Sequence, residues 1–173
     1  MGVTLRIPER ALVVLMGAAG SGKTTFARKH FKPTEFASSD FCRALVADDE
    51  NDQSATADAF ALLHMIVAKR LGRGRLVVVD ATNVQADARR PLLKLAEELH
   101  LPAIAIVLNL PQEICLELNA RRADRTVEAR VVEQQFDDLQ RALPRLAKEG
   151  FARVYVLSSP EEASNTAIAR EVG

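Results

Sequence analysis

Short apolar runs rich in β-branched residues alternate along this chain with longer segments of helical period, so strands and helices are expected in turn. Leu12–Met16, Leu76–Asp80 and Ala103–Leu108 are apolar almost throughout, as strands covered on both faces must be. Arg153–Leu157 and, more weakly, Glu35–Ser38 complete the predicted strands. Lys23–His30, Asp40–Ala47, Gln53–Leu71, Ala86–Leu99, Pro111–Arg121, Glu128–Glu149 and Pro160–Glu171 carry apolar residues at helical spacing. Pro91, Pro144 and the Gly72-Arg73-Gly74 stop mark where helices begin, kink or end. The alternation predicts a three-layer α/β fold, a five-stranded parallel sheet flanked by helices.

Length and charge narrow the classes. The chain has 173 residues, which fits one domain over 1–173. It is 48% hydrophobic and 27% charged, values of ordinary folded domains rather than disordered or disulfide-built chains. Lys plus Arg and Asp plus Glu both total 23, so any basic site must be local and not a global footprint for nucleic acid. Cys42 and Cys115 belong to no zinc-like or disulfide-framework pattern. No apolar run approaches the roughly 20 residues that a membrane span needs, and a cytoplasmic location is expected.

The strand Leu12–Met16 runs into Gly17-Ala18-Ala19-Gly20-Ser21-Gly22-Lys23-Thr24, followed by Thr25. This matches G-x-x-x-x-G-K-[ST] in the strand-to-helix setting that the motif requires. The glycines let successive N–H groups turn inward, and the helix adds its positive end, making a nest for a β-phosphate. Lys23 can reach the β- and γ-oxygens, and the Thr24 hydroxyl can ligate Mg²⁺ (or Mn²⁺) bridging them. ATP or another NTP is the expected phosphate donor. Asp80 closes a predicted strand before Ala81-Thr82-Asn83, at the sheet edge where it would hold Thr24 or a metal-bound water; otherwise it caps the helix beginning at Ala86. The N-K-x-D signature of GTPase base recognition is absent, which disfavours a GTPase.

Asp40 and Arg43, three apart at a predicted helix start, share a face. A carboxylate there can take a proton from an acceptor hydroxyl while a guanidinium grips a neighbouring phosphate. On these residues alone the plainer reading is a helix start with Ser39 as N-cap and Arg43 in a surface ion pair.

The stretch GAAGSGKTTFARKHFKPTEFASSDFCRALVADDENDQ, then VVVDATN, RRADR and GFARVYVLSSPEEA, resembles the 5′-OH polynucleotide kinase module of the bacterial Pnkp family of end-healing and end-sealing RNA repair enzymes. The resemblance implies Lys23 and Thr24 at the donor site, Asp40 as general base and Arg43 on the acceptor's phosphate. It also implies 5′-OH RNA or DNA ends as partners, phosphatase and ligase modules in a longer polypeptide, and leaves a homodimer open. The alternatives are a small-molecule or nucleotide-sugar kinase of the same fold, or a non-enzymatic NTP-binding switch.

A lid over approximately 112–145 is expected to carry arginines onto the triphosphate, with Arg122 and Arg125 as candidates within Asn119–Arg125. Against the family's pattern, Leu118 stands where a further Arg is common, so either Arg121 or Arg122 replaces it or turnover is impaired. Arg73, Arg75, Arg89 and Arg90 read as surface residues, Cys42 as packing, and His64 and His100 as structural histidines on helices. With seven Phe, one Tyr and no Trp, stacking platforms are few, which suits recognition of one strand end better than coating of a long strand.

Overall fold

The computed structural model describes residues 2–123 and 126–172. Five parallel strands form the central sheet: β2 (Leu12–Met16), β3 (Phe36–Ser38), β4 (Val77–Asp80), β5 (Ala103–Leu108) and β6 (Arg153–Leu157), in the order β3-β4-β2-β5-β6. Every residue of β2, β4 and β5 is buried, because helices cover both faces. One face packs Leu63, Val67 and Leu71 from α3 (Thr56–Gly72), Leu92 from α4 (Ala86–Glu98) and Leu139 from α6 (Ala129–Leu146). The other packs Phe26 and Ala27 from α1 (Lys23–His30), Cys115 from α5 (Gln112–Ala120) and Val132 from α6.

Several elements differ from expectation. The stretch Pro160–Glu171 is not one helix: α7 (Pro160–Ser164) stops where the Thr166 hydroxyl donates to Glu162 O at 2.7 Å, and β7 (Ala167–Glu171) follows. β7 pairs in parallel with β1 (Thr4–Pro8), placing Thr4 beside Ala167 and Pro8 beside Glu171 in a separate two-stranded sheet. β1 alternates exposed and buried positions, with Leu5 and Ile7 inward, the period of a half-buried strand. Gln53–Leu71 also divides, into a 3₁₀ turn at Gln53–Ala55 and α3.

Helix ends explain two further departures. Ser38, not Ser39, caps α2 (Ser39–Ala47), its hydroxyl accepting from Phe41 N at 3.2 Å. His100 is exposed and lies beyond α4 at φ 56, with Leu101 N donating to Ala96 O at 2.9 Å and His100 N to Glu97 O at 3.1 Å. That pair of bonds is a left-handed helix termination, so His100 ends a helix instead of packing in one. Arg89 is likewise no surface residue: it is 2% exposed, with Nε and Nη2 each 2.7 Å from a Glu149 oxygen and Nη1 3.0 Å from Asn83 O. It ties α4 and the chain after α6 to the loop that follows Asp80.

Candidate active site

The carboxyl ends of β2, β3 and β4 and the start of α1 open onto one cleft of about 1030 Å³. Gly17 N donates to Thr82 O at 3.1 Å, tying the phosphate loop to the loop after β4. α1 starts at Lys23 with Gly22 as N-cap at φ 90, so the N–H groups of Lys23, Thr24 and Thr25 lie in a first turn with no intrahelical acceptor. Gly20, at φ 83, has no room for a side chain: a Cβ there would lie 2.2 Å from Cys115 O and 2.8 Å from Asn119 N. The second loop glycine therefore serves close packing against α5 as well as backbone curl. Ser21 makes no capping bond to α1; it is buried behind Gly17.

Lys23 Nζ donates to Gly17 O at 2.8 Å and Ala18 O at 3.1 Å. Burial pulls its pKa down to about 8; Asp80 opposes the shift and Arg122 adds to it. The Thr24 hydroxyl donates to Asp80 Oδ2 at 2.8 Å, joining the two expected metal-site residues. Asp80 is 4% exposed, and burial raises its carboxyl pKa against the pull of Lys23 and Thr24. The hydroxyl and carboxylate fit a hard cation held by oxygen. Among the described residues no cluster of three His, Cys, Asp or Glu could hold a metal ion.

Asp40 and Arg43, at the start of α2, face the same cleft. Arg43 Nη1 lies 2.9 Å from Asp40 Oδ1 and 3.2 Å from Glu50 O. Arg43 is 5% exposed and its Nε is buried with no acceptor among the described residues. The surface-pair reading of Arg43 is therefore set aside. Asp40 contributes, behind larger causes, to raising the pKa of both Lys23 and Asp80.

Residues 12–146 match the AAA_33 family, AAA domain. The chain belongs to that family. No curated protein matches this AAA-domain chain. Among solved structures it is similar to a chain of the Pnkp1/Rnl/Hen1 RNA repair complex, with TM-score 0.66 and 20% identity over 82% of this chain and 47% of that one. It thus spans about half that chain's length. A gluconokinase from Sinorhizobium meliloti 1021 matches at TM-score 0.56 and 15% identity, over 91% of this chain and 87% of that one. Shikimate kinase from Acinetobacter baumannii, in complex with shikimate, matches at TM-score 0.54 and 20% identity, over 91% and 88%. At these identities the likeness is one of fold, that of P-loop kinases.

In this AAA-domain chain, Leu118 of α5, Thr126 and Val127 beyond it, and Val131 of α6 line the cleft, within the stretch expected to form a lid. Arg122 lines the cleft. Arg121 does not: its side chain is 71% exposed and pairs with Glu117, so of the two arginines expected to stand in for one at Leu118, Arg122 is the one on the cleft. Arg125 lies outside the described residues. The Asn119 side chain holds Val127, donating to its carbonyl at 2.6 Å and accepting from its N–H at 3.1 Å. Sequence reasoning missed Arg28, Arg130 and Gln135, all lining the cleft. Arg28 lies on the α1 face shared with Thr24, a helical-spacing signal that was available; Gln135 reaches Ala19 N at 2.9 Å from a separation of 116 residues, and no local pattern marks it.

Among the described residues no helix is long and apolar enough to cross a membrane.

Proposed function

We propose that this chain is a kinase domain that transfers the γ-phosphate of ATP or another NTP to the 5′-OH end of RNA or DNA, the acceptor class implied by its resemblance to the RNA repair kinases. The observation that carries the reading is the Asp40–Arg43 pair, 2.9 Å apart, on the cleft wall beside the phosphate loop. The loop's N–H groups and Lys23 hold the β- and γ-phosphates. Asp40 accepts the proton of the 5′-hydroxyl as its oxygen bonds to the γ-phosphorus, and the bond from that phosphorus to the β–γ bridging oxygen breaks, leaving with the nucleoside diphosphate. Arg43 grips the phosphate on the 3′ side of the accepting nucleoside, using donors that Asp40 does not occupy. Arg122 and Arg125 spread positive charge over the transferring group. Thr24 and Asp80 would hold Mg²⁺ (or Mn²⁺), which neutralises phosphate charge when bound.

A second reading, a kinase of a small hydroxylated metabolite, is favoured by the gluconokinase and shikimate kinase folds, which match nearly the full length of both chains. Transfer from γ-labelled ATP separates the two. The nucleic-acid reading expects label on a 5′-OH oligonucleotide, none on its 5′-phosphorylated counterpart, and none on gluconate or shikimate. Label on gluconate or shikimate with an inert oligonucleotide would replace it with the second reading.

A further inference from the structure

The loop position that lies ahead of the phosphate nest is already hydrogen-bonded, and its partner comes from the lid. Ala19 N donates to the Gln135 side-chain carbonyl at 2.9 Å. Ser21 N donates to Ala18 O at 3.1 Å, whereas among the described residues no backbone carbonyl accepts from Gly20, Gly22, Lys23 or Thr24 outside α1 itself. Lys23, for its part, is folded back onto Gly17 O and Ala18 O. An amide oxygen and an ammonium thus stand against the loop, each bonded to the backbone of its outer half, where a terminal phosphate would bring acceptors of its own.

Gln135 is held on a fixed platform. Its helix α6 buries Val132 and Leu139 on either side of it. Asp138, one turn on, accepts from Gln134 Nε2 at 2.9 Å and from Gln85 Nε2 at 2.5 Å, pinning α6 to the residue that precedes α4. Such anchoring leaves a new partner at Ala19 to be met by rotation of the Gln135 amide, not by displacement of the helix. A glutamine suits that exchange, since one end accepts and the other donates. Its oxygen satisfies Ala19 N–H before nucleotide arrives; once a phosphate oxygen takes that N–H, the Nε2 group can turn and donate to the same phosphate.

We propose that Gln135 is a specificity-determining residue that reads the terminal phosphate of the donor, favouring nucleoside triphosphate over diphosphate. The inference rests on the donor site of the proposed function and deepens it. Diphosphate bound in the nest formed from Gly20 to Thr24 leaves the Ala19–Gln135 bond in place; triphosphate exchanges it for two bonds to an anion. After transfer the Ala19–Gln135 bond re-forms while diphosphate is still bound.

The test is the ratio of ATP to ADP affinity, measured by calorimetry with magnesium for wild type, Gln135→Glu and Gln135→Ala. In Gln135→Glu the side chain still accepts from Ala19 N–H but presents a charge in place of a donor, and ATP affinity should fall about 10- to 100-fold, as expected for exchanging a charge-assisted bond for repulsion. ADP affinity should stay at the wild-type value. Gln135→Ala should lose about tenfold for ATP and little for ADP. Equal effects on both nucleotides, or none on either, would overturn the assignment, and equal effects with a lowered melting temperature would make Gln135 a structural residue of the lid. A wild-type protein that binds neither nucleotide would instead defeat the donor-site reading on which this rests.

Discussion

Arg43 Nη1 sits 2.9 Å from the Asp40 carboxylate with the arginine side chain 6% and the aspartate 30% exposed, so the base expected from sequence is oriented by the residue expected to grip phosphate. Asp40→Asn keeps the shape and a hydrogen-bond acceptor for Arg43 but cannot take up a hydroxyl proton. Its transfer rate should fall about 10²- to 10⁴-fold, with ATP affinity retained and kcat reduced more than acceptor KM is raised. A variant with near wild-type kcat would remove Asp40 from the chemistry.

Lys23 predicts a pH dependence. Burial brings its pKa to about 8 in the free protein, and phosphate charge stabilises the protonated form, so ATP binding takes up a proton once the pH exceeds that value. ATP affinity should be flat below pH 8 and then fall by up to ~tenfold per unit as the ammonium is lost. Calorimetry at alkaline pH in buffers of differing ionisation enthalpy should register the proton uptake. Lys23→Ala should abolish that uptake together with most transfer.

Arg122 lines the cleft close enough to depress the pKa of Lys23. If it answers charge that develops during transfer, Arg122→Ala should lower kcat about 10²-fold, the scale for removing one donor from a developing anion, while ATP affinity without acceptor changes less. Arg121→Ala should be near wild type, because that side chain is directed to Glu117 at the surface. Reversed effects would exchange their roles.

The phosphate loop was legible in sequence because its requirements are local: glycines at fixed positions, a strand before and a helix after. The central strands were legible for a related reason, since burial on both faces leaves continuous apolar runs. The small sheet was not. β1 and β7 stand 163 positions apart by their registered pair Thr4 and Ala167, and Ala167-Ile168-Ala169-Arg170 suits a helix as well as a strand until β1 supplies its hydrogen bonds. Arg89 failed for the same reason, because nothing near it announces Glu149 as its partner. Among the candidate site residues, Asp40 and Arg43 were visible as a pair but the burial of Arg43 was not, nor its bond to the Glu50 carbonyl beyond the end of α2.

That small sheet supplies a stability test. Arg170 on β7 donates through two nitrogens to Glu35, each bond 2.6 Å, just ahead of β3. The bond from Arg170 holds the Glu35 carboxyl below its usual range of about 4.5 despite burial. A depressed carboxyl pKa contributes stability above the unfolded value and loses it as pH falls through the folded value. Arg170→Met should therefore cost about 1–3 kcal/mol at neutral pH, less than a fully buried pair because the arginine is partly exposed, and the difference from wild type should shrink below pH 4.5. Denaturation curves at pH 7 and pH 4 compare the two; a gap independent of pH would assign the loss to packing over Phe31, where the guanidinium lies 5.7 Å from the ring centre.

The most direct measurement of the acceptor assignment is phosphoryl transfer to a nucleoside 3′-monophosphate against the bare nucleoside, by wild type and Arg43→Ala. A 5′-OH kinase with Arg43 on the flanking phosphate should use the 3′-monophosphate far better, and Arg43→Ala should raise its KM until the two acceptors approach each other. Equal use of both acceptors by the wild type, or an Arg43→Ala variant that keeps the full preference, would contradict the account.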